Sequence, residues 1–361
     1  MPVEQSGPGA AVGTRWMRGI KMAQEDINGA GGIMGKKIET FILDTKTEAP
    51  VAVAAVRKSI ESKPFVVMGP IFSGSTLACM GLLRDAGIPE FVGSESPNIG
   101  KQNNPKNANT FLTALNVDNS IQKVAKWISD DLKVKKLAFI YANTDLCRSA
   151  REVLKRLLEP KGIQFVTDIA TELGQSSFTG ELSRVKATDA DTLFIYVHEE
   201  EGGRLMPQLR EMGIDKKMRV VGHNTLLAED ALRLAKESAN GLVGHVGESP
   251  VGAPLKPLGD RYIAKFKEPP DHNFFKAYIA MYVTKAAVDA NKSFDQQKFR
   301  DFLRNRTLCV KDFPGVLTDI HFDEKGDCDK ESFLIKIENQ KHVMAGVLPP
   351  LHPEWFTGCK K

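Results

Sequence analysis

Apolar residues recur along this chain at helical spacing in some stretches and as short unbroken runs in others. Residues 12–28 predict a first helix, whose apolar face is formed by Trp16, Ile20, Ala23 and Ile27. This helix is expected to end in the glycine-rich residues 28–32. Residues 65–68 form a short apolar run that stops at Gly69-Pro70, which is typical of a buried parallel strand.

The same alternation of strand and helix patterns continues along the rest of the chain. Further strand candidates are residues 37–43, 137–141, 165–169, 192–197, 219–222 and 333–337, and further helix candidates are residues 51–62, 148–159, 202–212 and 274–291. Strands that alternate with helices predict a parallel α/β architecture. Because so many strands need two sheets, we expect two α/β lobes.

Length and charge narrow the classes of function. The chain has 361 residues, which suits two domains of ordinary size. Its 49 basic and 45 acidic residues give a net charge of +4 and are spread along the chain. A nucleic-acid partner usually needs a concentrated basic face, so none is expected. No apolar run approaches the roughly 18 residues that would span a membrane.

The five cysteines have no spacing typical of a metal site, and no metal is predicted. Cys79 and Cys147 lie in apolar surroundings and are expected to be free buried thiols. Cys309 and Cys328 flank a segment that contains Pro314 and Gly315. A disulfide between these two cysteines would close a loop of about 20 residues and stabilise it in an oxidising compartment. The sequence is compatible both with a disulfide between Cys309 and Cys328 and with two free thiols.

Two glycine patterns resemble nucleotide-binding loops. Residues 31–37 resemble a phosphate loop, but they lack the Ser or Thr that would hold magnesium, and they follow a helix instead of a strand. Residues 7–13 precede a helix, as a dinucleotide loop would, but their spacing is one residue too long and Pro8 stiffens the backbone. We therefore predict turns and no cofactor. An NAD(P)-dependent oxidoreductase remains a weaker alternative that depends on residues 7–13 alone.

Two serine-rich turns follow the predicted strands at residues 65–68 and 89–92 and open helices. The first contains Ser73, Gly74 and Ser75, and the second contains Ser94, Glu95 and Ser96. Hydroxyl groups and N–H groups at a helix N-terminus can hold a carboxylate, and ligands of open α/β sheets bind beyond the carboxyl ends of the strands. The alternative is that these serines only cap their helices.

His198 follows the predicted strand 192–197 and is either a ligand contact or a capping residue. It is accompanied by no Ser/His/Asp, Cys/His or paired-carboxylate pattern. The sequence therefore offers no catalytic residues, and we predict that the protein is not an enzyme.

The order of four motifs resembles the type I periplasmic binding proteins, specifically the leucine/isoleucine/valine-binding group. The motifs are residues 7–13, 26–35, 69–76 and 319–327. The resemblance implies two doubly wound lobes with three hinge crossings, near residues 116–119, 247–250 and 326, that close on a small ligand. Lobe 1 is then residues 1–117 and 249–327, and lobe 2 is residues 118–248 and 328–361.

The resemblance also implies roles for individual residues. Ser73 and Ser96, with Ser94 and nearby N–H groups, would hold a ligand carboxylate. Asn224 stands where amino-acid binders often have a carboxylate for the ligand ammonium, so Glu95 or Glu199 would have to replace it. The full set of expected ligand-binding residues is Ser73, Gly74, Ser75, Ser94, Glu95, Ser96, Leu146, His198, Glu199, Asn224 and Phe275.

The function implied is that of a solute-binding component of an ABC uptake system. Its ligand would be a branched-chain or related amino acid, an aromatic acid or an amide. The implied partner is an ABC permease of the inner membrane, and the implied protein is a periplasmic monomer. A ligand-sensing regulatory protein of the same fold is the alternative.

The N-terminal end departs from the family pattern. Members of the family begin with an apolar strand before the segment that corresponds to residues 2–7. The chain opens at Met1 with neither this strand nor a secretory signal. A buried sheet without that strand would leave backbone groups without partners, at roughly 1–3 kcal/mol each. We therefore predict that the natural gene product extends upstream of Met1.

Overall fold

Helices and strands alternate along the chain in the computed structural model, which describes residues 1–106 and 108–359. The helices are α1 Ala10–Gly29, α2 Ala49–Glu61, α3 Ser73–Asp85, α4 Pro97–Gln102, α5 Val117–Lys126, α6 Asp145–Leu158, α7 Thr179–Lys186, α8 Glu199–Glu211, α9 Ile214–Lys217, α10 Glu229–Ala235, α11 Lys256–Phe266, α12 His272–Asn291 and α13 Gln296–Leu303. The strands are β1 Pro2–Val3, β2 Leu43–Asp44, β3 Val67–Met68, β4 Glu90–Val92, β5 Thr110–Leu112, β6 Lys136–Ala142, β7 Gln164–Thr171, β8 Thr192–Tyr196, β9 Arg219–Gly222, β10 Val243–Val246, β11 Arg306–Leu308, β12 Ile320–Phe322, β13 Cys328–Lys330, β14 Ser332–Glu338 and β15 Lys341–Leu348. The predicted α/β class is confirmed. None of the helices in the described residues combines the length and the hydropathy that a membrane span requires.

The chain forms two compact units, each built from separated stretches. Unit 1 comprises Met1–Asn116, Asn273–Glu331 and Pro349–Lys361, and unit 2 comprises Val117–His272 and Ser332–Leu348. The first boundary falls within the predicted stretch 116–119, whereas the others fall at 272/273, 331/332 and 348/349.

Unit 1 contains a parallel sheet of β3, β4 and β5, a parallel pair β1–β2, and an antiparallel sheet of β11, β12 and β13. The predicted face of α1 is confirmed as buried, because Trp16, Ile20, Ala23 and Ile27 are at most 1 % exposed. Four buried rings, Phe91, Phe111, Phe299 and Phe322, pack together with centroid distances of 5.8 to 6.4 Å. These rings join the strands β4, β5 and β12 to the helix α13 in one core.

Unit 2 is built on a seven-stranded sheet in the order β15-β14-β10-β9-β8-β6-β7. The strands β6 to β10 are parallel, as expected, but β14 and β15 are antiparallel to their neighbours. The pair β14–β15 is a hairpin whose two loop residues, Asn339 and Gln340, both have positive φ, at 49° and 61°. Two-residue hairpin loops of this kind match the twist of antiparallel strands. The parallel sheet of the prediction is therefore a mixed sheet.

The predicted strand at residues 37–43 is largely wrong. Only Leu43 and Asp44 form a strand, because β1 is two residues long and pairs with these two residues alone. Phe41 and Ile42 are each 42 % exposed. Residues 36–41 instead line a cavity of about 390 Å³ together with Met1 and residues 64–68.

The units divide the chain differently from the predicted lobes in residues 249–272, 328–331 and 349–361, and at Val117. The stretch after β10 stays with unit 2, because Ser249 Oγ lies 2.9 Å from His342 Nδ1 of β15. The C-terminal stretch returns to unit 1, because Thr307 Oγ1 donates to the carbonyl of Trp355 at 2.8 Å. Asp329 in addition accepts a hydrogen bond from the N–H of His352 at 2.8 Å.

The disulfide joins Cys309 to Cys359, and the predicted Cys309–Cys328 pair is wrong. The strand register gives the reason. Cys309 directly follows β11, and β12 lies between β11 and the strand β13 that carries Cys328. Two strand spacings amount to about 9.6 Å, which exceeds the roughly 7 Å limit between the Cα atoms of a disulfide. Cys328 is a free buried thiol.

The prediction for the other two cysteines is confirmed, since Cys79 and Cys147 are free and buried. Burial raises the pKa of each thiol to about 12. Both groups are therefore protonated at neutral pH and are poor nucleophiles.

Glu90 gives unit 1 a predictable pH dependence. Its side chain is fully buried at the start of β4 and accepts a hydrogen bond from Thr110 Oγ1 at 2.6 Å. Burial raises the pKa of Glu90 from its ordinary 4.5 to about 8. The folded state therefore keeps a proton that the unfolded chain releases, and stability falls as the pH rises from 4.5 to 8. Between pH 4.5 and 7 the loss from this group is on the order of 3 kcal/mol.

We expect Glu90→Gln to remove most of this loss of stability. The amide has the shape of the protonated acid, and it does not titrate. Urea unfolding of both proteins at pH 4.5 and 7 measures the difference. The exposed Glu61→Gln is the matched control and should keep the wild-type pH profile. An unchanged pH slope in Glu90→Gln would contradict the assignment.

Candidate functional site

The two serine turns of unit 1 lie side by side. Ser94 Oγ donates a hydrogen bond to Ser73 Oγ at 2.8 Å, and both residues are buried. The contact follows from the sheet, because β3 and β4 are parallel neighbours and each turn begins at the carboxyl end of its strand. The two predicted turns are therefore neighbours within unit 1.

Ser73 and Ser96 differ in what their hydroxyl groups do locally. Ser96 is the N-cap of α4, and its Oγ accepts a hydrogen bond from the N–H of Asn98 at 3.2 Å. The N-cap of α3 is Phe72, and no side-chain hydrogen bond caps this helix. Ser96 therefore caps α4, whereas the Ser73 hydroxyl contacts the neighbouring turn.

The first turn of α3 is open on the side of Gly74. A Cβ atom added to Gly74 would meet no atom within 4 Å, and Gly74 is exposed. Ser75, the next residue, is only 3 % exposed. The N–H groups at this helix N-terminus carry the positive end of the helix dipole, which favours an anion.

A buried ion pair anchors the second turn. Lys276 Nζ donates to the carbonyl oxygen of Gly93 at 2.7 Å and to Glu95 Oε1 at 3.1 Å. The two charged side chains are 3 % and 5 % exposed. Lys276 lies in the first part of α12, next to the fully buried Phe275. Sequence analysis missed Lys276, although a lysine inside an apolar helical stretch is a signal that the residue has a buried partner.

The predicted residues of unit 2 lie after adjacent parallel strands of its sheet. His198 follows β8 and is the N-cap of α8, and its Nε2 lies 3.1 Å from Thr144 Oγ1, which follows β6. Leu146 is two residues beyond Thr144 and is 9 % exposed. Asn224 follows β9, and Thr225 Oγ1 donates to the carbonyl of Val197 at 2.5 Å.

Glu199 and Asn224 are both buried, with 4 % and 3 % exposure. Glu199 is the first residue of α8, and Asn224 Oδ1 accepts a hydrogen bond from the N–H of Thr225 at 3.0 Å. Asn224 also contacts His223, whose Nε2 lies 3.1 Å from His245 Nδ1. No sequence pattern indicated this buried histidine pair, because His223 follows β9 and His245 lies in β10, and these strands meet only in the folded sheet.

The glycines of residues 7–13 serve close packing within unit 1. A Cβ atom on Gly13 would lie 1.8 Å from the carbonyl oxygen of Glu4, and one on Gly9 would lie 2.6 Å from the Phe72 ring. The N–H of Gly9 donates to Thr47 Oγ1 at 3.0 Å. Crowding against protein atoms accounts for these glycines without a dinucleotide.

The second glycine pattern, residues 31–37, is confirmed as a turn. Ile33 and Lys36 exchange backbone hydrogen bonds, each of 2.9 Å. The left-handed φ of 78° at Gly35 lies inside that turn.

Comparison with known proteins gives a consistent set of similarities. A family model described as periplasmic binding protein matches residues 1–341. The chain is 24% identical to the Leu/Ile/Val-binding protein BraC3 of Rhizobium johnstonii over 343 residues, which cover 94% of this chain and 91% of that protein.

Two solved structures share the fold. The branched-chain amino acid transporter substrate binding protein LivJ of Streptococcus pneumoniae, in complex with isoleucine, superposes with a TM-score of 0.84 and 24% identity, over 97% of this chain and 98% of that one. A solute binding protein of an ABC transporter from Rhodopseudomonas palustris, in complex with 3,4-dihydroxy benzoic acid, gives a TM-score of 0.85 and 21% identity, over 96% and 95%.

Proposed function

Since this chain belongs to the periplasmic binding protein family, we propose that it is the solute-binding component of an ABC uptake system and captures a small carboxylate-bearing molecule. The observation that carries the proposal is the hydrogen-bonded pair Ser73–Ser94, which stands where two parallel strands end and α3 begins. Hydroxyl groups and helix N–H groups at this place suit a carboxylate.

A carboxylate is also the group that the ligands of the similar proteins share. The LivJ structure holds isoleucine, and the Rhodopseudomonas palustris structure holds 3,4-dihydroxy benzoic acid. Isoleucine is an aliphatic amino acid, whereas 3,4-dihydroxy benzoic acid has an aromatic ring and no ammonium group, so the carboxylate is the group that they share. We therefore propose that unit 1 recognises the acid, and that Leu146, His198, Glu199, Asn224 and Phe275 contribute to affinity or choice among acids.

No catalytic step is part of this proposal. The free energy of binding serves to favour the ligand-bound conformation, which the partner then recognises. The proposed partner is an ABC permease of the inner membrane, and the proposed setting is the periplasm, with a monomeric binding protein.

A thermal-shift screen over aliphatic amino acids, aromatic acids and small amides tests the ligand class. A ligand at 100 times its dissociation constant adds about 2.7 kcal/mol to the free energy of unfolding, which is a readily measured shift. A screen in which acids from neither of the first two groups shift the protein would contradict the proposal.

We expect Ser73→Ala and Ser96→Ala each to weaken binding of the best acid from that screen by about 1–3 kcal/mol, because each removes a hydrogen-bonding group from the carboxylate. Isothermal titration calorimetry measures the change. The matched control is Ser59→Ala, a fully buried serine of α2, which should bind with wild-type affinity. Wild-type affinity in both site variants would mean that the serines only shape the turns.

A further inference from the structure

The buried ion pair between Lys276 and Glu95 belongs to the same turn as the proposed carboxylate site. Glu95 lies between Ser94 and Ser96, and Ser94 contacts Ser73. Lys276 holds this turn at two points, the carbonyl oxygen of Gly93 and the carboxylate of Glu95. A change in Lys276 therefore alters both the charge and the conformation of the turn.

From this arrangement we infer that Lys276 is a positioning residue that makes the serine turns select carboxylates without an α-ammonium group over amino acids. The inference rests on the proposed function and adds the class of ligand to it. Its physical basis is that the negative charge of Glu95 is balanced within the protein by Lys276, 3.1 Å away.

The charge balance has opposite consequences for the two parts of an amino acid. A ligand carboxylate approaching Ser73 and Ser94 meets a neutral ion pair and the positive end of α3, so it is not repelled. A ligand ammonium would have to compete with Lys276 for Glu95. At a few ångströms in a poorly solvated site, an uncompensated charge on Glu95 would change the affinity for either group by about tenfold, which corresponds to about 1.4 kcal/mol.

The test compares two ligands that differ only in the ammonium group. Leucine and 4-methylpentanoate have the same carbon skeleton and the same carboxylate, so the ratio of their dissociation constants isolates the ammonium. We expect the wild-type protein to bind 4-methylpentanoate more tightly. Titration calorimetry gives both constants in each variant.

In Lys276→Met, Glu95 loses its cationic partner, so the ratio should shift towards leucine by on the order of tenfold. Glu95→Gln should shift it towards 4-methylpentanoate. The double variant Lys276→Met/Glu95→Gln carries neither charge, and its ratio should return to within about threefold of wild type. Lys276→Arg keeps the charge and should keep the wild-type preference.

The matched control is Lys330→Met, which removes another buried lysine of unit 1. Lys330 Nζ donates to the carbonyl of Thr113 at 2.7 Å and is fully buried. This variant should lose thermal stability and keep the ligand ratio. If Lys276→Met does not fold, Glu95→Gln and Lys276→Arg decide the question.

Two results with the variants overturn the inference. One is a ratio that stays the same in Lys276→Met or in Glu95→Gln, and the other is an equal shift in Lys330→Met. A wild-type protein that binds leucine more tightly than 4-methylpentanoate would also overturn it while leaving the proposed function intact. Failure of every acid in the thermal-shift screen would instead remove the proposed function.

Discussion

Reduction of the Cys309–Cys359 disulfide is expected to lower the free energy of unfolding by about 4 kcal/mol. The two cysteines are 50 residues apart, and closing a loop of that length removes this much conformational entropy from the unfolded chain. Urea unfolding with and without a thiol reductant measures the loss, and Cys359→Ser should reproduce it without reductant.

The control for this prediction is internal, because the reductant should have no further effect on Cys359→Ser. We expect the reduced protein to remain folded, since the C-terminal stretch has other contacts. The Trp355 ring stacks on His321 with a centroid distance of 4.0 Å, and Asp329 accepts the N–H groups of Leu351 and His352. Equal unfolding midpoints in the oxidised and reduced proteins would show that the disulfide contributes nothing to the free energy of unfolding.

Phe111→Ala is expected to destabilise unit 1 by about 3–5 kcal/mol. The Phe111 ring is fully buried and lies 5.8 Å from Phe91, 6.4 Å from Phe299 and 6.1 Å from Phe322, measured between ring centroids. Removing it leaves a cavity among rings that come from separate stretches of the chain, and they cannot all collapse into the space.

Urea unfolding of Phe111→Ala is best compared with that of Phe41→Ala, which makes the same chemical change at a ring that is 42 % exposed. The exposed substitution should cost less than about 1 kcal/mol. Similar losses in the two variants would mean that the four-ring cluster is not a centre of stability.

Sequence patterns predicted those features that depend on neighbouring residues. The helical spacing of Trp16 and Ile20 gave the buried face of α1, and the position of Ser73 and Ser94 after apolar runs gave two turns that meet. Both predictions work because period and strand direction are local properties that translate directly into geometry.

Features that depend on distant residues were missed. Glu95 and Lys276 are 181 residues apart in the chain, and nothing near either residue indicates the other. A disulfide between Cys309 and Cys328 was considered because the two cysteines flank one short segment, whereas the intervening strand β12 separates them. The strand at residues 37–43 was overpredicted because its apolar composition does not show how short its partner β1 is.

The interleaving of the two units has a consequence for synthesis on the ribosome. Unit 2 receives β14 and β15 from Ser332–Leu348, after most of unit 1 has been made, and unit 1 then receives Pro349–Lys361. A nascent chain that ends before residue 332 therefore exposes β10 without its antiparallel neighbour. Such open edges invite association with other chains. Translation thus completes both units only within residues 332–361, so neither unit has all of its segments until synthesis is nearly finished.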